Sequence, residues 1–218
     1  MKKLVVLSFA VLISIASIAQ ENIKEGILTT KQLMSSDNDL MNTQLKSMGD
    51  TNSITYFKDD KSRSDISSPM TGDMSIIMDG TAKQMLMIMD QPAMGKKFVL
   101  KSTDPSKEDM ENVKVVKGNE RKTILGYECQ QYKVVMTQNG AEVEMEMFTT
   151  NKISAISQNT TAVGDKVEGF PLYYILKMKQ MGANIQIVSE VTKIDKESVS
   201  DDKFSLTPPE GYTKMEGM

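Results

Sequence analysis

Thioether sulfur is the commonest chemistry-bearing group in this sequence, which holds 19 methionines in 218 residues. Met85-x-Met87-x-Met89 and Met145-x-Met147 repeat at the two-residue spacing that puts side chains on one face of a strand. Soft thioethers suit Cu(I), so such a row is a candidate copper site. The plainer role is filling, because an unbranched, polarizable side chain fits an irregular apolar interior and adapts to varied ligands. Other reactive groups are scarce. There is no histidine, which removes the commonest general base and the commonest metal ligand. Cys129 is the only cysteine, so it has neither a disulfide partner in the chain nor an imidazole to form a thiolate pair. It sits in a strand-like stretch between Tyr127 and Tyr132, where a lone cysteine reads as a small buried apolar residue. Asp59, Asp60, Asp65, Asp73 and Asp79 are close in sequence, but Lys58, Lys61 and Arg63 interleave with them. They lack the twelve-residue calcium-loop spacing and read as solvated turn residues. Glu142, Glu144 and Glu146 form the wet face of an amphipathic strand, and Arg63 and Arg121 are the only arginines. Nothing sets a nucleophile beside a base, so the expectation is a non-enzyme with no cofactor and no resident metal.

The start of the chain carries the parts of a secretory leader. Lys2 and Lys3 precede an apolar run from Leu4 to Ile18, and small residues Ser17 and Ala19 stand before a cut. Residues 1–19 are therefore expected to be a signal peptide, and 20–218 a single domain. Lys plus Arg number 26 against 29 acids, a net charge of −3, and loss of the two leader lysines makes it −5. Acids and bases interleave without a basic stripe, which argues against a nucleic-acid partner. No later apolar run approaches the ~18 residues that span a bilayer. No cysteine stands at the cut to carry a lipid anchor. The expected location is outside the cytoplasm, periplasmic or extracellular, in soluble form.

The elements that must position the methionines are strands. Val143, Met145, Met147 and Thr149 alternate with Glu142, Glu144 and Glu146. Asn139-Gly140 joins that run to Tyr132–Thr137, and Asp79-Gly80 joins Met74–Met78 to Lys83–Met89. A third turn at residues 181–184 joins Leu172–Lys179 to Ile185–Ile194. Three hairpins in order predict an antiparallel meander. Ser36, with Asp39 three residues on, predicts a capped helix through Met48, with Leu40, Met41, Leu45 and Met48 on one stripe. Asp104-Pro105-Ser106 predicts a second short helix through Met110. Met85, Met87 and Met89 alternate with Leu86 and Ile88, and Leu172, Tyr174, Leu176 and Met178 alternate with Tyr173 and Ile175. Strands apolar on both faces need a cover on each. Helices or chain ends cover the second face, or the sheet curls around something apolar.

Several segments together resemble a known family: Thr123-Ile124-Leu125-Gly126-Tyr127-Glu128-Cys129-Gln130-Gln131-Tyr132, then Gly169-Phe170-Pro171-Leu172, then Phe204 through Pro208-Pro209-Glu210-Gly211-Tyr212. Ile54–Arg63, Met74–Met89 and Gly95-Lys96-Lys97-Phe98 look like the same family's hairpin region. The set, running from about Ser53 to the C-terminus, resembles a secreted bacterial family of unknown function in the LolA-like (lipoprotein carrier) superfamily. The resemblance implies an α+β, mainly β fold: a strongly curved antiparallel sheet, an incomplete barrel, with one or two short helices on the concave side. It also implies binding of acylated or other apolar ligands, and it brings no catalytic residue. The residues themselves fit such a shape. Gly126 and Gly169 are candidate bulge or bend points, Pro171 belongs at a strand start or edge, and Pro208-Pro209 ends the last strand so that Tyr212 folds back over a rim.

On this reading the chain is a non-catalytic cell-envelope carrier whose partners are a lipid or an acylated protein, with an envelope protein as a further partner. The expected cavity lining is Met85, Met87, Met89, Phe98, Val143, Met145, Met147, Leu172, Tyr174 and Leu176, with Arg63 for a polar group of the ligand. One alternative is a self-packed binding or structural module, its core filled by the 36–48 helix and its function on the surface. A methionine-based Cu(I) protein is the other.

Overall fold

The protein is described by a computed structural model covering residues 21–215 apart from 69–71, 93, 139–140 and 181. The expected leader, and two of the expected hairpin turns in whole or part, lie outside the described residues. The period-two segments form twelve strands: β1 (Glu25–Ser36), β2 (Thr51–Lys58), β3 (Lys61–Ser68), β4 (Gly72–Asp79), β5 (Gln84–Gln91), β6 (Gly95–Ser102), β7 (Lys114–Ile124), β8 (Tyr127–Gln138), β9 (Ala141–Thr150), β10 (Phe170–Gln180), β11 (Ala183–Asp195) and β12 (Thr213–Lys214). All join one open sheet in the order β12-β6-β5-β4-β3-β2-β1-β11-β10-β9-β8-β7. Two meanders, β2 to β6 and β7 to β11, thus meet on β1, which pairs with β2 on one side and β11 on the other. Every long pair is antiparallel, and only the two-residue β12 runs parallel, against β6.

The sheet is strongly curled, and one connection shows why. After β9 the chain turns at Asn151-Lys152 and runs beside Ile23, where Ile23 N donates to Lys152 O (2.7 Å) and Ser154 N to Ile23 O (3.0 Å). Two residues later Ile156 N donates to Ser62 Oγ on β3 (2.7 Å). Five strand steps separate β9 from β3, about 24 Å in a flat sheet. Six extended residues reach only about 21 Å, and this segment opens with a turn. The connection closes only because the sheet bends around it.

Helices are short, as expected, but differ in placement. α1 (Asp39–Met48) is capped by Asn38, whose side chain accepts from Met41 N, and not by Ser36. Ser36 instead finishes β1, its Oγ accepting from Asn38 N and donating to Asn184 O. α1 rests against β1, and Leu40 on its stripe is 72 % exposed, so it is not the core filler. α2 (Lys107–Glu111) starts two residues after Pro105, in line with the expected second helix. α3 (Gln158–Thr161) and the 3-10 turn Gly164–Lys166 follow the bridging segment. Their Val163 and Val167 are buried with Val113, Tyr132, Val134, Met145 and Met147. Lys166 Nζ ties this plug to α2 by donating to Val113 O (2.8 Å) and Met110 O (3.3 Å).

The reverse face of β3–β4 is covered by the chain's end. Phe204, in the 3-10 turn Asp201–Phe204, is buried, Lys203 Nζ lies 4.4 Å from the Tyr56 ring centre, and Lys58 pairs with Asp201 at 2.9 Å. This segment is a 3-10 turn, where strand continuing up to Pro208 had been expected. The last long strand is β11, and the chain after Tyr212 returns to β6. Gly126 forms the β7–β8 hairpin turn with Leu125, both at positive φ (84° and 50°), so it is a turn residue and no bulge. Pro171 is the second residue of β10, a central strand, where a bulge between Pro171 and Tyr173 relieves the missing donor.

Gly169 opens β10 at φ +82°, and a Cβ there would meet Thr150 O and Asn151 Oδ1 at 2.5 Å. Gly169→Ala is expected to cost at least about 2 kcal/mol in urea denaturation. Gly182→Ala, also at positive φ but with nothing within 4 Å, should cost about 1 kcal/mol.

Cys129 is fully buried among Leu28, Phe57, Phe148, Phe170 and Leu172. Burial pushes its thiol up from the ordinary 9.0 to about 11. A raised thiol pKa means that folding favours the neutral form. The resulting stability is complete below pH 9 and is lost as pH rises toward 11. Native protein at pH 8 should react with a disulfide reagent only as fast as it unfolds. Wild type should lose more stability between pH 9 and 11 than Cys129→Ala does.

Candidate functional site

Register turns the methionine rows into two walls. On β8, β9, β10 and β11 the cross-strand neighbours Val134–Met145–Leu176–Ile187 and Tyr132–Met147–Tyr174–Ser189 share one face, continued on β1 by Met34 and Gln32. Next to them stand Met136–Val143–Met178–Ile185. On β4 and β5 the same face carries Met74–Met89, Ile76–Met87 and Met78–Met85, with Val99 beyond Met87 on β6. Between the walls, β1, β2 and β3 present Thr30, Ser53, Thr55, Ser62 and Ser64, together with the fully buried Leu28 and Phe57. This hydroxyl floor is satisfied internally: Thr55 and Ser64 share a hydrogen bond of 2.8 Å, Ser62 accepts from Ile156, and Gln32 Nε2 donates to Tyr174 Oη at 2.8 Å. Because Ser62 meets the bridging segment, this is the concave face.

The plug covers only part of it. Met145, Met147 and Val134 are buried beneath Val163 and Val167. Met34, Ile66, Met74, Ile76, Met87, Leu176, Met178, Ile185 and Ile187 stay half-buried. Where the curl brings the walls together, Met85 on β5 and Met136 on β8 line one hollow of about 330 Å³ with Val113, Pro105 and Ala162. Lys101, Ser102, Thr103, Asp104, Thr137, Gln158 and Thr161 line the same hollow, so its wall is mixed polar and apolar. A wider groove of about 840 Å³ lies at the rim formed by the ends of β1, β9, β10 and β11. Its lining mixes Asp37, Glu142, Glu144, Lys177 and Lys179 with Ala141, Met178 and Ile185, so the end of the concave wall opens onto a charged rim. Asp37 there is already engaged: hydrogen bonds from Asn184, backbone N at 2.8 Å and side-chain amide, hold its carboxyl below the usual range.

Of the residues expected to line a cavity, Met85, Met87 and Met89 form one wall, and Val143, Met145, Met147, Tyr174 and Leu176 belong to the other. Three lie elsewhere. Phe98 pairs with Ile88 and so points to the reverse face. Leu172 is the bulged residue of β10 and packs with Phe57, Phe148 and Cys129. Arg63 also lies on the reverse face, opposite Tyr56 and Ile77. Its Nε bonds Asp65 (2.8 Å) and its Nη2 reaches Ser75 (3.2 Å), which in turn donates to Asp65. It is a strand-locking ion pair, separated by the sheet from any ligand on the concave side. Arg121 likewise pairs with Glu128 in the β7–β8 hairpin. Met34, Met74, Met78, Met136 and Met178 join the walls without having been singled out. For Met74, Met78 and Met178 the strand alternation was already visible.

The described residues contain no group of three or more His, Cys, Asp or Glu placed to hold a metal. They also contain no helix long and apolar enough to cross a membrane.

No curated protein matches the sequence. Among solved structures, the chain is similar to PNGF-II at 15 % identity and a TM-score of 0.48, covering 87 % of this chain and 31 % of that one. It is also similar to the Mycobacterium tuberculosis lipoprotein LppX at 4 % identity and a TM-score of 0.31, over 79 % and 90 % of the two chains. The chain therefore spans about a third of the PNGF-II chain, and neither likeness is close enough to carry an argument about activity. A sequence-family match does carry one about kinship: residues 39–212 match the domain of unknown function DUF4412, and the chain belongs to that family.

Proposed function

We propose that this protein is a non-catalytic, exported carrier that binds an apolar ligand, a lipid or the acyl chains of a protein, on the concave face of its sheet. The observation that supports this most is the hollow between Met85 and Met136, flanked by apolar walls that the protein's own plug leaves half-buried. Soluble proteins rarely leave so many large apolar side chains together at a concave surface without a use for them. Methionine suits the task because its flexible side chain re-forms around ligands of different shape.

Size and energy bound the ligand. An apolar cavity of about 150 Å³ holds one benzene, so the open, mixed-lined hollow of about 330 Å³ has room for at most roughly ten to twelve carbons. At ~0.8 kcal/mol per buried methylene, twelve carbons contribute about 10 kcal/mol. Association costs about 4–15 kcal/mol. A single chain in the hollow therefore binds modestly, and tight binding needs further chains along the half-buried walls. Release calls for no covalent step, only a partner or membrane that offers the chains a drier place.

The buried cluster of Val163, Val167, Met145 and Met147 favours a second reading, a self-packed module acting through its surface. The two differ in their response to ligand. A naphthylamine dye and long-chain fatty acid should bind the native protein with micromolar affinity and raise its melting temperature. Met136→Asp, which places a charge in the hollow, should weaken dye binding at least tenfold while the protein stays folded. Absence of dye binding and of any melting shift would leave the self-packed module standing.

A further inference from the structure

The β4–β5 pair carries its methionines in a way that filling a core does not require. Register sets Met74 opposite Met89, Ile76 opposite Met87 and Met78 opposite Met85 on the concave face, so five of six adjacent positions are thioethers. The reverse face of the same two strands holds Asp73, Ser75, Ile77 and Asp79, with Leu86, Ile88 and Asp90, and no methionine. Apolar volume alone is supplied there by isoleucine and leucine. Sulfur is confined to one side.

Cβ atoms of directly opposed residues stand about 4.5–5.5 Å apart, and same-face neighbours along a strand about 6.6 Å apart. Three rotatable bonds in each methionine let its sulfur cover such gaps. Met87 sits in the middle of the block, adjacent to both pairs, and Met74 and Met87 are half-buried while Met78, Met85 and Met89 are buried. The block is therefore reachable from the concave side and backed by sulfur. Two lysines on β6 stand opposite the block: Lys97, opposite Met89, is turned away to Thr213 Oγ1 at 2.9 Å, and Lys101, opposite Met85, stands at the end of the block farthest from Met74 and Met89. No carboxylate stands opposite any of the five.

We propose that Met74, Met87 and Met89, with Met78 and Met85 behind Met87, bind one soft monovalent cation of the Cu(I) class. Neutral thioethers offer no charge to a divalent ion, so Zn(II) and Cu(II), which favour imidazole or anionic ligands, are not held. The site uses one wall of the sheet and stands whether or not an apolar ligand is carried.

The test is titration of the whole mature chain with Ag(I), and with Cu(I) under anaerobic conditions against a chromophoric chelator, read by native mass spectrometry. One ion per chain is expected, with no uptake of Zn(II). The volume-conserving triple variant M74L/M87L/M89L should weaken binding at least tenfold, and Met87→Leu alone by less. M136L/M178L, on the other wall, and Cys129→Ser should leave it unchanged. Melting curves of each variant separate loss of the site from loss of the fold, and dye binding reads the carrier function independently. The proposal is overturned if the unaltered chain holds no ion, if the folded triple variant or, where the triple does not fold, Met87→Leu holds it as tightly, or if Cys129→Ser abolishes it.

Discussion

The curl of the sheet is the constraint on which everything else rests. A twelve-stranded open sheet left flat would expose two long apolar faces and bury neither. Here the segment after β9 crosses the concave side, bonding to Ile23 and then to Ser62, and it is too short to do so unless the strands bend toward each other. It then delivers Val163 and Val167 onto β8–β9. One short connection thus draws the sheet together and plugs part of the space it makes. The C-terminal segment covers the other side, with Phe204 and Lys203 over β2–β4.

The same bend explains the composition. In a flat sheet the methionines of β5 and those of β8–β10 would be far apart, because six to eight strand steps separate them. Curled, they form facing walls, and Met85 and Met136 share a hollow. The Ser/Thr stripe on β1–β3 is the floor between them, with its hydroxyls largely engaged in bonds of their own. A groove with apolar sides, and a floor whose polar groups are engaged with one another, suits the proposed binding of an apolar ligand by burial alone. The absence of histidine from the chain and the burial of Cys129 fit that economy.

Much of this was legible in the order of residues. The alternation of Val143, Met145 and Met147 with three glutamates predicts β9 and the side it buries, and apolar runs on both faces of β5 and β10 predict a cover on each. What escaped depends on register and on distant partners. Nothing near Arg63 tells that it lies on the reverse face with Asp65 and Ser75, because the face is set by how β3 pairs with β2 and β4. Phe98 was misplaced for the same reason, a one-residue shift sending a side chain through the sheet. Leu172, at the bulge after Pro171, is buried with Leu28 and Phe57 beyond the end of the methionine rows, a placement set by strands far away in sequence. The helix start moved from Ser36 to Asn38 because Ser36 is claimed by Asn184, 148 residues away.

If the methionine walls serve a carrier, the space between them is occupied by something other than the protein. Native mass spectrometry of the protein purified from the cells that make it, followed by organic extraction, is the most direct test. A stoichiometric apolar molecule is expected, released by solvent and bearing one or more acyl-length chains. A bare mass, together with a melting temperature unmoved by added lipid, would contradict it.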